Sequence, residues 1–327
     1  MLKRIAVVPL AAESLGVRSM CTYVETPDVR ILFDAGVSLC PRRFSLPPHP
    51  LEFRAIAECR RRIADAACKA EIVTLSHYHM DHYTPSFEDW LCNWTEADET
   101  ARQLYAGKTI LAKNHRECVN PSQRRRGWLF EKTSGKVAGK LESADGKGYR
   151  FNGTTLRFSE PVSHGAEHSY LGWVLMATVD CDGERFVFAP DVQGPICNAT
   201  LEAIAEERPQ LLMIGGPPLY LLGTKVEESQ IAAGLRNLER LVAGVPHVIL
   251  DHHVLRDEDW RAKTDGVFRS AHGAGSTLQT AAEFVGRENA FLEARRRKLF
   301  AENPASEEFA KWMRKNEETQ KYSKPPI

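Results

Sequence analysis

The sequence predicts an α/β fold with two mixed β-sheets stacked face to face and helices outside them. Two observations support this prediction. Strand-like segments occur in two stretches, one in the first third of the chain and one after residue 150, and helical segments follow each stretch. The chain has 327 residues, a length that single α/β domains commonly reach. We therefore expect one domain over residues 1–300, with a helical extension and a frayed tail over residues 301–327.

The strands of the first stretch are apolar or β-branched runs that turn residues separate. They cover residues 3–10, 19–26 and 29–34, and the Pro27-Asp28 pair predicts a hairpin between the last two. Apolar residues at helical spacing predict a helix over residues 51–70. A short buried strand over residues 72–75 then leads directly into a histidine-rich segment.

The second stretch contains more strands and then alternates with helices. Strands are predicted over residues 155–162, 171–179, 185–189, 211–214 and 248–250. Apolar residues at helical spacing predict a helix over residues 276–299.

The overall charge argues against one class of function. The 43 basic residues balance 43 acidic residues, and a chain that wraps nucleic acid through its basicity alone needs a clear positive excess. The charge is unevenly distributed, because residues 108–150 carry eleven basic and four acidic side chains. We interpret this segment as a basic insertion close to the functional site, where Arg124 and Arg125 are candidates for binding phosphate oxygens, although a solvated helix face would equally explain them.

The sequence indicates a cytoplasmic protein with no membrane partner. No apolar run approaches the roughly 18 residues that a membrane helix needs. The apolar run after Lys3-Arg4 is interrupted by Pro9, and Val7 and Val8 suit a β-strand better than a signal peptide. The eight cysteines are scattered without a CxxC pair, which favours free thiols. A homo-oligomer is compatible with this sequence.

The segment His77-Tyr78-His79-Met80-Asp81-His82 directly follows the predicted strand at residues 72–75. It offers three imidazoles and a carboxylate, the donor types that zinc and similar divalent metals prefer in proteins. Surface histidines without a metal rarely show this pattern, so the segment predicts a metal site.

This HxHxDH pattern after a buried strand resembles the signature of the metallo-β-lactamase superfamily. Further segments of the chain match its other motifs in order: Phe33-Asp34-Ala35-Gly36, Ser163-His164-Gly165, Ala189-Pro190-Asp191 and Asp251-His252-His253. The sequence around residues 13–20, 46–50 and 216–221 is similar to that of the largely uncharacterised, mainly archaeal predicted metal-dependent hydrolases of this superfamily. The resemblance implies an αββα sandwich with the metal site along one edge.

The resemblance also implies a ligand set for two divalent metal ions. It places one ion on His77, His79 and His164, a second ion on Asp81, His82 and His252, and Asp191 between them. Asp34 would orient a ligand histidine from behind the site. Zinc is the expected metal, although manganese or iron would also suit these ligands.

Several other residues are candidates for roles near the metals. Asp81 could orient the attacking hydroxide and later donate its proton. His168 could donate a proton or hold substrate, although a solvent-facing loop position would equally explain it. His252 is favoured over the adjacent His253 as the ligand because it directly follows a strand, which leaves His253 to line the pocket or to support the ligands. Tyr78, Tyr83 and Tyr220 are candidates for substrate binding, although packing of the loop would equally explain Tyr78 and Tyr83.

The resemblance implies a dinuclear-metal hydrolase that uses a metal-bridging hydroxide, and we expect a small-molecule or nucleic-acid phosphoester as its anionic substrate. A thioester or lactone hydrolase similar to glyoxalase II would use the same ligands. A mononuclear iron dioxygenase would also be compatible with these residues, as would a non-enzymatic nucleic-acid-binding protein with a structural metal. Structural zinc sites are usually closed by four ligands, which argues against the non-enzymatic protein.

Overall fold

The structure is a computed structural model that describes residues 2–167 and 169–327. In these residues a first sheet has six strands in sequential order. They are β1 (Ala6–Pro9), β2 (Thr22–Glu25), β3 (Arg30–Phe33), β4 (Ile72–Leu75), β5 (Thr109–Ala112) and β6 (Lys140–Ser143). The first three strands pair antiparallel, and β3 to β6 pair parallel, so the sheet is mixed.

The second sheet has seven strands in the order β15-β14-β13-β12-β11-β8-β7, again within the described residues. They are β7 (Gly148–Phe151), β8 (Thr154–Phe158), β11 (Ala177–Cys181), β12 (Glu184–Ala189), β13 (Leu211–Gly215), β14 (His247–Asp251) and β15 (Thr277–Gln279), while β9 (Val162–Ser163) and β10 (Trp173–Val174) form a small separate ribbon. The strands β12 to β15 are parallel and the others antiparallel.

Helices fill the connections between the strands. They are α1 (Pro50–Ala67), α2 (Ala97–Tyr105), α3 (Pro121–Lys132), α4 (Asn198–Glu207), α5 (Glu228–Gly244), α6 (Trp260–Lys263), α7 (Asp265–Ala274), α8 (Ala281–Phe284), α9 (Arg296–Glu302), α10 (Glu307–Met313) and α11 (Glu317–Lys321). Helix α1 begins where its sequence predicts, since His49 and Glu52 form a capping box around Pro50. Among the described residues, no helix combines the length and the apolar character needed to cross a membrane.

Three apolar cores show how these layers stack. The central core lies between the sheets, where Phe33 of β3 packs 5.2 Å from Phe188 of β12 between ring centres. Alternate side chains of the first sheet, such as Leu32, pack outward against α1. The outer face of the second sheet packs against α5 and α7 in a third core. The order helix, sheet, sheet, helix confirms the predicted αββα sandwich.

The basic segment at residues 108–150 is part of this architecture, which corrects its interpretation as an insertion. Its strand β5 lies between β4 and β6 of the first sheet, and β7 is an edge strand of the second sheet. Charged residues alternate with apolar ones where a strand buries only one face, as in β7, where Arg150 is exposed between the half-buried Tyr149 and Phe151.

The helix predicted over residues 276–299 is also wrong. Residues Thr277–Gln279 pair with β14 as a parallel strand, a short helix follows, and the chain turns at Gly286, whose φ is +68°. Residues 276–284 do carry apolar side chains at helical spacing, but residues 277–279 pair with the open edge of β14 and form a strand instead.

The C-terminal segment packs onto the domain. Phe309 and Trp312 of α10 are buried against Phe53 of α1, and the Trp312 indole donates a hydrogen bond to the Ser323 carbonyl. The Lys324 ammonium lies 4.9 Å from the centre of the Trp90 ring. The tail therefore has defined contacts where fraying was predicted.

Candidate metal centre

The loop after β4 brings four candidate metal ligands to the end of the first sheet. His77 and His82 are completely buried, whereas the side chains of His79 and Asp81 are 24% and 15% exposed. The backbone of this loop lies against Gly36, where an added Cβ atom would come within 2.2 Å of the Tyr83 nitrogen. Only glycine fits at that position, so the absence of a side chain at Gly36 allows the backbone of the loop to pack closely against it.

The small ribbon and the second sheet supply three more side chains, each from a different strand end. His164 follows β9, Asp191 lies just after β12, and His252 directly follows β14. Asp191 and His252 have left-handed backbone conformations with φ of 46° and 69°, which non-glycine residues seldom adopt. These conformations turn the chain sharply at the strand ends, and both side chains are buried in the centre.

One group of donor atoms comes from His77, His79 and His164. The Nε2 atom of His77 and the Nε2 atom of His164 lie 3.0 and 3.3 Å from the Nδ1 atom of His79. The Oδ2 atom of Asp191 lies 3.1 Å from His77 Nε2 and 2.9 Å from His164 Nε2. All four donor atoms are within 4.8 Å of one another.

A second group comes from Asp81, His82 and His252. The Nε2 atoms of His82 and His252 are 3.3 Å apart, and Asp81 Oδ2 is 3.7 Å from His252 Nε2. The other oxygen of Asp191, Oδ1, lies 2.7 Å from His252 Nε2. The carboxylate of Asp191 therefore lies between the two groups, because Oδ2 is near the first group and also 3.4 Å from His82 Nε2, while Oδ1 is near His252.

Asp34 holds the first-sheet side of the centre, as the sequence predicts. Its Oδ2 atom lies 2.7 Å from His82 Nδ1, and it accepts hydrogen bonds from the backbone nitrogen and the hydroxyl of Ser76 at 2.7 and 2.5 Å. A carboxylate can only accept, so His82 carries its proton on Nδ1 and directs the lone pair of Nε2 into the centre.

Glu13 orients His252 on the second-sheet side in the same way, a role that the sequence did not predict. Its Oε2 atom lies 2.8 Å from His252 Nδ1, and its Oε1 atom accepts a hydrogen bond of 2.6 Å from Arg256 Nε and lies 2.5 Å from Arg256 Nη2 in the ion pair. Glu13 is only 4% exposed. A glutamate in an otherwise apolar stretch after β1 was the available signal, but nothing local indicates its partner.

Buried acidic groups outnumber basic ones around the histidines. Glu13, Asp34, Asp81 and Asp191 are opposed by the guanidinium of Arg256. Burial lowers the pKa of His252, but Glu13 and Asp191 raise it to about 9. Burial raises the pKa of Asp81, but His82, His252 and Arg256 lower it further, so this carboxylate stays ionised. The negative charge of these carboxylates favours protonated imidazole rings. It would equally favour metal cations that replace those protons on the imidazole nitrogens.

The donor set fits divalent metal ions. Nitrogen ligands 2.0–2.1 Å from a tetrahedral zinc ion lie about 3.3 Å from each other, close to the spacings between the ring nitrogens here. The Oδ1 atom of Asp191 is also buried without a hydrogen bond from any described residue, although His252 Nε2 is near, because the two atoms are poorly aligned. Metal ions would satisfy these atoms.

A cleft of about 630 Å³ opens above the two groups. Its wall includes His79, Asp81, His164, Asp191 and His253, and the side chains of Tyr220, Arg18, Arg126, Lys225 and Arg256. The candidate Tyr220 thus lies on the cleft. His168, the predicted proton donor, lies outside the described residues.

Four substrate-binding candidates lie elsewhere. The hydroxyl of Tyr78 donates a hydrogen bond of 2.7 Å to the Lys113 carbonyl, and the rings of Tyr78 and Tyr83 pack in the core against Phe130 of α3. This position corrects the substrate-binding prediction in favour of packing. Arg124 and Arg125 are exposed and do not line the cleft, because the face of α3 that is turned towards it carries the next residue, Arg126.

The layer order and the strand-end positions of these residues define a metallo-β-lactamase fold with a His/Asp cluster, as the motifs predict. Similar solved structures include a crystal structure of Tm1679, a metal-dependent hydrolase of the beta-lactamase superfamily, at 13% identity and a TM-score of 0.46, covering 85% of this chain and 96% of that chain. The diiron beta-hydroxylase CmlA of Streptomyces venezuelae has 11% identity and a TM-score of 0.47, covering 86% and 53%. Such distant similarities say nothing about activity.

The chain belongs to the UPF0282 family. It is 42% identical over 301 residues to a UPF0282 protein of Pyrobaculum arsenaticum, covering 92% of this chain and 95% of that protein. It is 43% identical over 296 residues to one of Methanopyrus kandleri, covering 90% and 99%. A Thermococcus gammatolerans member is 42% identical over 294 residues, covering 90% and 94%. No family model matches the chain.

Proposed function

We propose that this protein is a hydrolase that uses two divalent metal ions to cleave an anionic phosphoester. The position of Asp191 carries the proposal. Its carboxylate contacts donors of both groups, since Oδ2 lies 2.9 Å from His164 Nε2 and 3.4 Å from His82 Nε2, and Oδ1 lies 2.7 Å from His252 Nε2. A carboxylate placed in this way would be shared by two cations, whereas a site for one cation needs only one of the two groups.

The first cation would be held by His77, His79 and His164, and the second by Asp81, His82 and His252. When bound, such a pair of ions makes hydroxide available near neutral pH and stabilises negative charge on the reacting ester. Imidazole-rich donors favour zinc, although manganese or iron could take its place.

Asp81 would orient the attacking water. It is ionised, it belongs to the second group of donors, and its side chain is 15% exposed on the wall of the cleft. Arg256 Nη2 lies 3.4 Å from Asp81 Oδ2, and this contact limits the positions that the carboxylate can take. Asp81 would therefore accept a hydrogen bond from the water and turn its lone pair towards the substrate.

The charges of the cleft favour an anionic substrate. Arg18 and Arg256 are neutralised by Glu293 and Glu13, but Arg126 and Lys225 form no ion pair with a described residue. Two free cations beside a metal centre attract phosphate oxygens, which a neutral lactone does not offer. This observation favours a phosphoester over a thioester or a lactone.

The first test combines metal content with turnover. Protein purified without added metal is analysed by mass spectrometry, and hydrolysis of bis-p-nitrophenyl phosphate is measured. We expect about two zinc or manganese ions per chain and a turnover that His79→Ala abolishes. A single iron ion without turnover would contradict the proposal and favour oxygen chemistry, and hydrolysis of thioesters or lactones alone would show that the substrate class is wrong.

A second test addresses the charge of the substrate. Arg126→Ala should raise KM for the phosphodiester by several-fold, less so at high salt, and leave the metal content unchanged. Arg125→Ala is the matched control, because its side chain is exposed next to Arg126 but does not line the cleft. Equal KM values in the two variants would contradict a role for Arg126 in substrate binding.

A further inference from the structure

His253 lies beside the metal centre but differs from the ligand histidines in its surroundings. Its side chain is 12% exposed on the cleft wall, and its ring is parallel to that of Tyr220, with 6.4 Å between ring centres. The Nε2 atom is buried and lies 3.3 Å from Asp191 Oδ1, but it makes no hydrogen bond with any described residue. One polar atom of this ring is thus left without a partner at the edge of the cleft.

Arg256 determines where His253 carries its proton. The Nη1 atom of Arg256 lies 3.2 Å from His253 Nδ1 and 3.2 Å from the Tyr220 hydroxyl. A guanidinium only donates hydrogen bonds, and Nη1 has two hydrogens, one for each of these acceptors. The Nδ1 atom of His253 must therefore be unprotonated, which places the proton of the neutral ring on Nε2.

The adjacent His252 has the opposite arrangement. Its Nδ1 atom lies 2.8 Å from Glu13 Oε2, an atom that only accepts, so the proton is on Nδ1 and the lone pair is on Nε2. Arg256 Nη2 is 3.5 Å from the same Nδ1 atom, too far to compete with the carboxylate. The two members of one ion pair, Glu13 and Arg256, therefore set opposite tautomers on two neighbouring histidines.

This difference decides which histidine can bind a metal. A metal ligand must present a lone pair, as His252 Nε2 does, whereas an N–H group cannot coordinate a cation. The ion pair is firmly held, because Arg256 Nε donates a hydrogen bond of 2.6 Å to Glu13 Oε1, Nη2 lies 2.5 Å from the same oxygen, and both side chains are buried.

We propose that His253 is not a metal ligand and that its Nε2–H group donates a hydrogen bond to an oxygen of the bound anionic substrate. A buried N–H group without an acceptor is unfavourable, and a substrate oxygen in the cleft would supply the acceptor. Arg256 acts as the positioning residue, since it fixes the tautomer of His253 without touching the substrate. The identity of the acceptor rests on the proposed function, whereas the tautomer does not.

The tautomers are tested directly by nitrogen NMR of the histidine side chains in the zinc-loaded protein. His253 should show a proton on Nε2 and His252 a proton on Nδ1. Removal of each resonance by substitution of the corresponding histidine assigns the signals. A proton on Nδ1 of His253 would overturn the proposal.

The donor role is tested with two variants in zinc-loaded protein, with inorganic phosphate as the binding probe. His253→Ala should retain the metal content of the native chain and bind phosphate about tenfold more weakly by calorimetry. His253→Gln keeps an N–H donor and should recover most of the affinity. Loss of one zinc ion from His253→Ala would show that His253 is a ligand, and a phosphate affinity that matches the native value would show that no oxygen of the anion uses this donor.

Neither measurement depends on turnover. A chain that hydrolyses no phosphoester contradicts the proposed function, yet the zinc content and phosphate affinity of these variants still decide the role of His253. Native protein that binds zinc but no phosphate overturns the donor role. If His253 only positioned Asp191, then His253→Ala would lower the affinity for zinc and leave phosphate binding at saturating zinc unchanged.

Discussion

The first sheet supplies its part of the candidate metal centre from one short loop, whereas the other part comes from three separate strand ends, one in the small ribbon and two in the second sheet. Residues 77–82 contribute three imidazoles and a carboxylate after β4. His164, Asp191 and His252 follow β9, β12 and β14 and meet only when the strands are assembled. The loop side is therefore defined by local sequence, and the strand-end side by tertiary structure.

The supports behind the two sides differ in the same way. Asp34 is held by hydrogen bonds from the neutral Ser76, while Glu13 is held by the charged Arg256, 243 residues away in sequence. Loss of Asp34 would leave the neutral Ser76, whereas loss of Glu13 would leave the buried charge of Arg256 without its main counter-charge, so the second loss should cost more stability. We therefore expect the loss of the supporting carboxylate to destabilise the protein more on the strand-end side than on the loop side.

The largest effect should come from the residue that both sides share. Asp191→Ala should bind neither metal ion tightly and lose turnover by at least about a thousandfold, because water without a metal is not activated. His252→Ala removes a ligand of one group only and should retain about one metal ion per chain. Metal analysis and phosphodiester turnover check both expectations.

Asp98→Ala is the control for that comparison, since Asp98 is exposed at the start of α2. It should keep the metal content and turnover of the native chain. If Asp191→Ala retained both metal ions, the shared position of this carboxylate would be excluded.

Substitutions of the two supporting carboxylates, Asp34 and Glu13, should differ in their effect on the free energy of unfolding. Asp34→Asn and Glu13→Gln should each weaken metal binding by about 10–100-fold, because each removes the carboxylate that orients a ligand histidine. Glu13→Gln should also lower the free energy of unfolding by about 3 kcal/mol, since it leaves Arg256 buried without its main partner. Chelator competition and urea unfolding measure the two effects. An equal loss of stability in the two variants would show that the ion pair is no more fragile than the hydrogen bonds of Asp34.

Low pH should destabilise the protein through a second buried ion pair, Arg18–Glu293. Glu293 accepts two hydrogen bonds of 2.6 Å from Arg18 on the cleft wall. Burial raises the pKa of Glu293, but Arg18, Arg256 and Arg296 lower it to about 2, against 4.5 for an ordinary glutamate. Because the folded value is the lower one, the pair stabilises fully above pH 4.5 and this stabilisation disappears as the pH falls towards 2.

The stabilisation at neutral pH should be about 3 kcal/mol, and Glu293→Gln should remove it together with its dependence on pH. Glu71→Gln is the matched control, because the Arg30–Glu71 pair is exposed and should contribute little. Urea unfolding between pH 3 and 7 gives both curves. A Glu293→Gln variant that kept the native pH dependence would assign the acid sensitivity to other groups.

Much of the fold and of the centre could be predicted before the structure. The alternation of strands and helices predicted the layers, and the HxHxDH segment after a buried strand predicted the metal-binding loop. What could not be predicted was which way each side chain points. Tyr78 alternates with two histidines along the loop, so it faces away from them into the core against Phe130.

The basic segment shows a second limit of sequence reasoning. Arg124, Arg125 and Arg126 are equivalent as a run of charges, but α3 buries Gln123, Gly127 and Phe130 and so fixes which arginine reaches the cleft. That register is set by packing against the first sheet, which the charge pattern does not contain. The helix predicted over residues 276–299 failed for a similar reason, because the edge of β14 captured part of it as a strand.

The sequence by itself determined the types of donor atom, their spacing along the loop after β4 and the order of the strand-end residues. These follow from local chemistry, since a metal needs certain atoms and a strand ends where its apolar run ends. Only the tertiary structure decided which of two adjacent histidines presents a lone pair to the centre. That choice depends on Glu13, 239 residues from His252 along the chain, and on the direction of the hydrogen bonds that it and Arg256 make once the sheets have packed together.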